Sequence, residues 1–132
     1  MISVDTSVVV RYLVGTPKAQ ADRAASLIDG DAEIGVSIVV IAGAAHVLRS
    51  FYRMARADLV DVLIDFMTRA NVLPLEVSKS DIIGALVRAR AFESSPVTDA
   101  LIAASARAYD ALPVYTFDKK FGRLGAAVAA PR

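Results

Sequence analysis

The chain has 132 residues, of which 55% are hydrophobic, so it can bury a single core and is expected to form one domain over residues 1–132. Its mean hydropathy of +0.49 is high, yet Gly, His or charged residues break every apolar run before it is long enough to cross a bilayer. The net charge of +1 excludes nucleic-acid binding through bulk charge, and the absence of cysteine excludes disulfides and thiolate metal sites.

An apolar run at the start of the chain, Ile2-Ser3-Val4, predicts a buried central strand that ends at Asp5-Thr6-Ser7. In an open α/β sheet, ligands bind beyond the carboxyl ends of the strands, so Asp5 would lie at the floor of a site there. The alternative is that Asp5 only caps the following helix, since Asp is a favoured N-cap. These first residues lack the basic and long apolar segments of a signal peptide, which together with the lack of cysteine predicts a cytoplasmic protein.

Helical and extended patterns alternate along the rest of the chain. Candidate N-caps at Ser37 and Ser78 predict helix starts, and Pro74 places the third strand at an edge of the sheet. Strands that alternate with helices indicate an α/β fold with a central, mainly parallel sheet covered on both faces. The predicted helices cover residues 7–14, 18–29, 37–52, 57–69, 78–92 and 97–109, with a short turn or helix at 122–124, and the later strands cover 32–36, 72–77, 114–116 and a short segment at 128.

Two further aspartates match Asp5 in placement. Asp118 follows the predicted strand 114–116, and Asp99 lies in the first turn of the helix that begins at residue 97. Taken singly, Asp118 could be a helix N-cap, and Asp99 could simply interact with the helix dipole, a contribution of about 0.3–1 kcal/mol. Taken together, the three carboxylates would meet at one edge of the sheet, where a cation between them offsets their mutual repulsion.

Carboxylates without paired His or Cys favour a hard divalent cation such as Mg²⁺, which can lower the pKa of a bound water and neutralise a phosphate. Lys119, Lys120 and Arg123 follow Asp118 and could hold a polyanionic backbone, or they could be a solvated helix face. The single histidine, His46, is predicted to be a half-buried packing residue rather than a catalytic base.

Four segments together resemble the PIN-domain family, and within it the VapC ribonuclease toxins of bacterial VapBC toxin–antitoxin pairs. They are ISVDTSVVVRYL at residues 2–13, VSIVVIAGAAHVLRSFY at 36–52, TDALIAASA at 98–106 and TFDKKFGRL at 116–124. The resemblance implies a three-layer, Rossmann-like α/β/α fold and an endoribonuclease site that uses Mg²⁺ or Mn²⁺. It also implies homodimers and a VapB-type antitoxin whose tail occupies a groove of the toxin.

The resemblance also assigns residues to the site. Asp5, Asp99 and Asp118 match acids of the family and are the predicted catalytic and metal-binding residues. Polar positions that support the site in the family are matched by Thr6, Ser7 and Thr116.

Position 43 departs from the family pattern, in which a Glu in the third helix completes an acidic quartet. Here the residue is Gly43, and no acid lies within a helical turn of it. A glycine inside a helix costs about 0.5–1 kcal/mol relative to Ala, and the sequence indicates no close approach that would require it. Three explanations stay open: a change engineered or selected because an active toxin harms its host, natural drift to a weak or inactive enzyme, and replacement by a distant acid such as Glu93.

Two functions are therefore compared. The first is a Mg²⁺-dependent endoribonuclease toxin whose activity is reduced because Gly43 replaces the expected Glu. The alternative is a catalytically silent PIN domain that binds an antitoxin or RNA. A generic nucleotide-binding domain is disfavoured, because Asp5-Thr6-Ser7 takes the place of a glycine-rich phosphate loop after the first strand.

Overall fold

Six α-helices and five short strands run along residues 1–132, all of which the computed structural model describes. The predicted order of elements is observed, with bounds that differ by three residues at most. The helices are α1 (Thr6–Val14), α2 (Lys18–Ile28), α3 (Ile38–Ser50), α4 (Arg56–Thr68), α5 (Lys79–Ala91) and α6 (Val97–Ala108). The strands are β1 (Ile2–Ser3), β2 (Ile34–Val36), β3 (Val72–Pro74), β4 (Val114–Tyr115) and β5 (Val128–Ala129), and a 3-10 helix covers Phe121–Leu124.

Side-chain caps determine where three of the helices begin. The hydroxyls of Ser37 and Ser78 accept hydrogen bonds from amides in the first turns of α3 and α5, as predicted. Asp5 does the same for α1 through the amide of Val8. Such a cap satisfies an amide that has no partner inside the helix and contributes about 1 kcal/mol, so these helix starts are encoded locally.

The larger sheet has three parallel strands in the order β1-β2-β3. Ile34 in β2 pairs with Ile2 on one side and with Val72 on the other. Pro74 ends β3 at an edge of the sheet, which confirms that prediction. The prediction of a buried central first strand is wrong: β1 is the opposite edge, and the side chain of Ile2 is 43% exposed.

The remaining two strands form a ribbon of their own. β4 pairs with β5 in parallel, with Val114 opposite Val128, and neither strand joins the larger sheet. The parallel sheet covered by helices confirms the three-layer α/β/α class, but the strands are divided between two sheets instead of one. Asp5 therefore follows a strand of the larger sheet, whereas Asp118 follows a strand of the ribbon.

One hydrophobic cluster of 28 buried residues joins all six helices to the larger sheet. Leu63 and Phe66 of α4 and Leu86 of α5 are at its centre, with at most 1% of their surface exposed. Burial of each such side chain contributes about 1.5–3 kcal/mol, which holds the helices against the strands that carry the candidate site. None of the helices combines the length and the apolar character that a membrane crossing would need.

Candidate active site

Asp5 is the N-cap of α1. Its Oδ1 atom accepts hydrogen bonds from the Ser7 hydroxyl at 2.6 Å and from the Val8 amide at 3.2 Å. These bonds, the Ser7 bond first, lower the pKa of Asp5 below its usual value because they favour the ionised carboxylate. The capping role considered for Asp5 is therefore confirmed.

Asp99 lies half-buried in the first turn of α6. Burial, first, and the nearby carboxylate of Asp118, second, raise the pKa of Asp99 above its usual value. Both causes destabilise the charged form of Asp99, because a buried ion loses hydration and the like charge of Asp118 repels it. The loop after β4 and the start of α6 therefore bring two of the three predicted acids close enough to interact.

The loop that carries Asp118 is held by its own hydrogen bonds. The Asp118 amide donates to Thr116 Oγ1 at 2.9 Å, and the Lys120 amide donates to Asp118 Oδ1 at 2.8 Å. The latter bond is a local side-chain to backbone contact in the loop, and the N-cap of the short 3-10 helix is Lys120 rather than Asp118, so the alternative considered for Asp118 from the sequence is not observed. Thr116 thus contacts the predicted acid directly, in the place where a supporting residue was expected.

The third carboxylate does not join this pair. The groups that perturb the pKa of Asp99 include Asp118 but not Asp5, and no three acidic or histidine side chains lie where they could share a metal ion. Glu93, the distant substitute considered from the sequence, interacts with Arg56 instead. The interaction that the structure shows is therefore between Asp99 and Asp118, and Asp5 does not form a group of three ligands with them.

The pair still fits a hydrated divalent cation. Mg²⁺ is commonly held by one or two carboxylates while waters complete its octahedral shell, and Mn²⁺ accepts the same oxygen ligands. The repulsion between Asp99 and Asp118 is the kind of interaction that such an ion relieves. The donor set therefore matches Mg²⁺ or Mn²⁺ in an open, water-rich site and does not match zinc.

Gly43 is explained by a close approach that the sequence did not indicate. A Cβ atom at position 43 would lie 2.7 Å from Thr6 Oγ1 and 3.3 Å from Thr6 Cγ2, across the contact between α3 and α1. The expectation that no close approach requires a glycine here is wrong, because Thr6 already fills that space. The position matched to the family Glu is thus adjacent to the N-cap Asp5, but a larger side chain there requires Thr6 to move.

Positive and aromatic side chains surround Asp118. Lys119, Lys120 and Arg123 are all exposed, so their charges are available to a polyanion. Phe117, which the sequence analysis did not single out, is 86% exposed between Thr116 and Asp118. Exposed aromatic rings interleaved with Lys are typical of surfaces on which single-stranded bases stack, and that interleaving is visible in the sequence.

His46 is exposed on α3, so the prediction that it is half-buried is wrong. Its Nδ1 atom lies 3.5 Å from Ser50 Oγ. Position 46 is on the surface because α3 turns its other face, with Ile41, Ala45 and Leu48, toward the core.

The whole chain was then compared with known proteins. The family model for the PIN domain matches residues 2–127, whereas no curated protein and no solved structure matches the chain. PIN domains are generally nucleases and typically use divalent metal ions, in agreement with the carboxylate pair described above. With nearly its full length covered by that match, the chain belongs to the PIN-domain family.

Proposed function

We propose that this PIN domain is a Mg²⁺- or Mn²⁺-dependent endoribonuclease of the VapC type, which cleaves RNA phosphodiester bonds and is neutralised by a VapB-type antitoxin. The observation that carries the proposal is the interacting pair Asp99 and Asp118, in a chain that matches the PIN domain over residues 2–127. The motifs around Asp5, Asp99 and Asp118 support the toxin type.

Each residue has a separate task in this proposal. Asp99 and Asp118 would hold the cation, and the carboxylate of Asp5 would orient a water or a second ligand. A bound divalent cation would supply a water of lowered pKa and would neutralise charge on the phosphate. Lys119, Lys120 and Arg123 bind the RNA backbone beside the carboxylates, since each is exposed on the segment that follows Asp118.

Gly43 sets the expected level of activity. With three acids in place of four, and with only two of those three interacting, the chain should bind its cation weakly and cleave slowly. A glutamate at position 43 should raise the cleavage rate by about tenfold to hundredfold, the range typical of a partner in a metal site.

The test is cleavage of total RNA by the wild-type chain and by Gly43→Glu, each with Mg²⁺, with Mn²⁺ and with EDTA. Both backgrounds, with Thr6 and with Thr6→Ala, should be used, because Thr6 occupies the space next to position 43. Gly43→Gln is the matched control, since it has the shape of Glu without the charge. If Gly43→Glu cleaves no RNA in either background, the catalytic assignment fails.

A second candidate function is a catalytically silent PIN domain that binds an antitoxin or RNA. It is favoured by one observation, that Gly43 packs against Thr6 in a site where no three acids are grouped. Calorimetry with millimolar Mg²⁺ and Mn²⁺ separates the two candidates. A silent module binds neither ion, whereas the nuclease binds at least one of them.

The partners proposed with this function are a VapB-type antitoxin and a second copy of the chain, in the cytoplasm where the RNA substrate is found. Large exposed apolar side chains support partner binding, among them Val39, 73% exposed, and Phe51, 76% exposed. Light scattering of the purified chain, alone and co-expressed with a small protein encoded beside it, tests both partners. A monomer that retains no co-expressed protein would contradict this part of the proposal.

A further inference from the structure

A small cavity of about 50 Å³ lies where α3, α4 and the start of α6 meet. Four of its lining residues are polar or basic, namely His46, Arg49, Arg56 and Thr98, and the others are apolar or Pro. No carboxylate lines it, so its two guanidinium groups have no counter-charge within the cavity. We call it the arginine cavity.

Arg56 is held rigidly in the wall of this cavity. Its Nη1 atom donates to the carbonyls of Ala89 and Ser95, both at 2.8 Å, and more weakly to that of Phe92 at 3.4 Å. These bonds use one nitrogen only, so Nε and Nη2 keep their hydrogens free for a ligand. Burial, first, and the positive charge of Arg49, second, lower the pKa of Arg56, while Glu93 has the opposite and smaller effect.

Arg49 and the start of α6 complete the set of donors. Arg49 is exposed and takes part in none of the three salt bridges of the chain. Pro96 is the N-cap of α6, and its side chain cannot accept hydrogen bonds from the first amides of the helix. Thr98, in the first turn of α6, is exposed. Free amides and the positive end of a helix dipole favour an anion at this point, and arginine side chains match phosphate oxygens well.

We propose that the arginine cavity binds one phosphate group of the RNA strand, next to the bond that the nuclease cleaves. Its volume has room for a phosphate, and Thr98 precedes the site carboxylate Asp99 in the first turn of α6. Both arginines line the cavity, the charge of Arg49 acts unfavourably on Arg56, and a bound phosphate would offset that repulsion. This assignment rests on the proposed function, because RNA is the proposed source of the phosphate.

The first arm of the test uses inorganic phosphate, which needs neither RNA nor catalysis. Phosphate titrated into the ¹⁵N-labelled chain should shift the amide signals of Val97 and Thr98 and the Nε–H signal of Arg49. Arg49→Gln should abolish the Thr98 shift, whereas Arg53→Gln, an exposed arginine of the same charge that does not line the cavity, should leave it unchanged. Failure of phosphate to shift Thr98 in the wild-type chain would overturn the cavity as an anion site.

The second arm measures the affinity of a short fluorescent single-stranded RNA in EDTA, where nothing is cleaved. Arg49→Gln should weaken binding about five- to tenfold and reduce the slope of log affinity against log salt by about 0.7, the value for one phosphate contact on a single strand. Arg49→Lys keeps the positive charge but cannot donate the two parallel hydrogen bonds of a guanidinium. It should therefore retain the salt dependence of binding and lose part of the affinity. Arg53→Gln should change neither quantity by as much.

The two arms also separate this inference from the proposed function. If phosphate shifts Thr98 but Arg49→Gln binds RNA as the wild type does, the cavity holds a free anion and the RNA assignment is overturned. If the wild-type chain binds no RNA, the proposed function fails, while the phosphate arm still decides whether the arginine cavity binds an anion.

Discussion

Gly43 in α3 and Thr6 in α1 are in such close contact that a Cβ atom at position 43 would lie 2.7 Å from Thr6 Oγ1. The contact joins the residue after the first predicted acid to the position where the family has its glutamate. A single pair thus decides both how closely α1 and α3 pack and what position 43 can contribute to the site.

The first prediction is that Gly43→Ala and Thr6→Ala are strongly coupled. Alanine at 43 gains about 0.5–1 kcal/mol of helix propensity, but it overpacks against Thr6, and overpacking typically costs about 1–3 kcal/mol. Gly43→Ala alone should therefore lower the free energy of unfolding. In the Thr6→Ala background the same change should raise it, with a coupling energy of about 1–2 kcal/mol in urea denaturation.

Gly84 provides the matched control for this cycle. It lies inside α5, and a Cβ atom there would meet nothing within 4 Å. Gly84→Ala should stabilise the chain by about 0.5–1 kcal/mol whether residue 6 is Thr or Ala. A Gly43→Ala variant that behaves like Gly84→Ala in both backgrounds would show that α1 and α3 are farther apart than described.

The second prediction separates the structural role of Asp5 from its charge. Asp5→Ala removes the acceptor for the Val8 amide and should cost about 1 kcal/mol of stability, whereas Asn is as good an N-cap as Asp. Asp5→Asn should therefore keep most of the stability at pH 7 while it removes the carboxylate from the site. Thermal unfolding gives the first quantity and RNA cleavage the second, and equal losses of stability in the two variants would exclude the capping role.

The lowered pKa of Asp5 predicts how the free energy of unfolding depends on pH. Because its pKa is lower in the folded chain than the ordinary value of 3.8, its contribution is present above that value and is lost as the pH falls through the lowered pKa. Asp99 has the opposite sign. Its pKa is raised from 3.8, so the folded chain binds more protons in that window, and stability falls as the pH rises through it.

The third prediction concerns the cause of the raised pKa of Asp99. Asp118→Asn removes the like charge and should lower the pKa of Asp99, but not to its ordinary value, since burial is the larger cause. Asp5→Asn is the control and should leave the raised pKa of Asp99 unchanged. NMR titration of the Asp99 carboxyl in EDTA measures this pKa in the unsubstituted chain and in both variants. Equal effects of the two substitutions would place all three carboxylates together in solution.

The fourth prediction is that Phe117 is a stacking surface for RNA. Its ring is 86% exposed, so Phe117→Ala should change the free energy of unfolding by less than about 0.5 kcal/mol. Loss of one stacked base should weaken the binding of single-stranded RNA by about tenfold, within the usual range of about 1–3 kcal/mol. Fluorescence anisotropy in EDTA measures this.

Phe51→Ala is the control for that prediction. Phe51 is 76% exposed, lies against the ring of Tyr52 with 4.9 Å between centroids, and belongs to a different segment of the chain from the loop of Asp118. Its substitution should leave the affinity for RNA unchanged. Equal weakening by both substitutions would indicate a general loss of apolar surface and no specific stacking at Phe117.

Features encoded within a few residues could be predicted from the sequence. Ser37 and Ser78 are N-caps because a hydroxyl needs only the amides of the next turn, and Pro74 lies at an edge because proline cannot donate to a further strand. The capping role of Asp5 could be considered for the same reason. The PIN-domain motifs carried the fold class.

Features that depend on distant segments could not be predicted in this way. Whether β1 is central or at an edge depends on whether β4 pairs with it. In the structure β4 pairs with β5 instead, and this choice is made by the packing of the whole chain rather than by the residues near β1. The same holds for Gly43, whose need for space arises only where α1 crosses α3.

The ribbon of β4 and β5 affects the thermal stability of the pair Asp99 and Asp118. Only two residue pairs join its strands, and two-stranded ribbons are marginal on their own, although Arg107 Nη1 anchors the nearby Gly125 carbonyl at 2.7 Å. Local opening there would carry Asp118 away from Asp99 while the helical core stays intact. Activity should therefore be lost on warming through this small, reversible local opening. The loss should occur at temperatures below those at which circular dichroism detects unfolding of the helices.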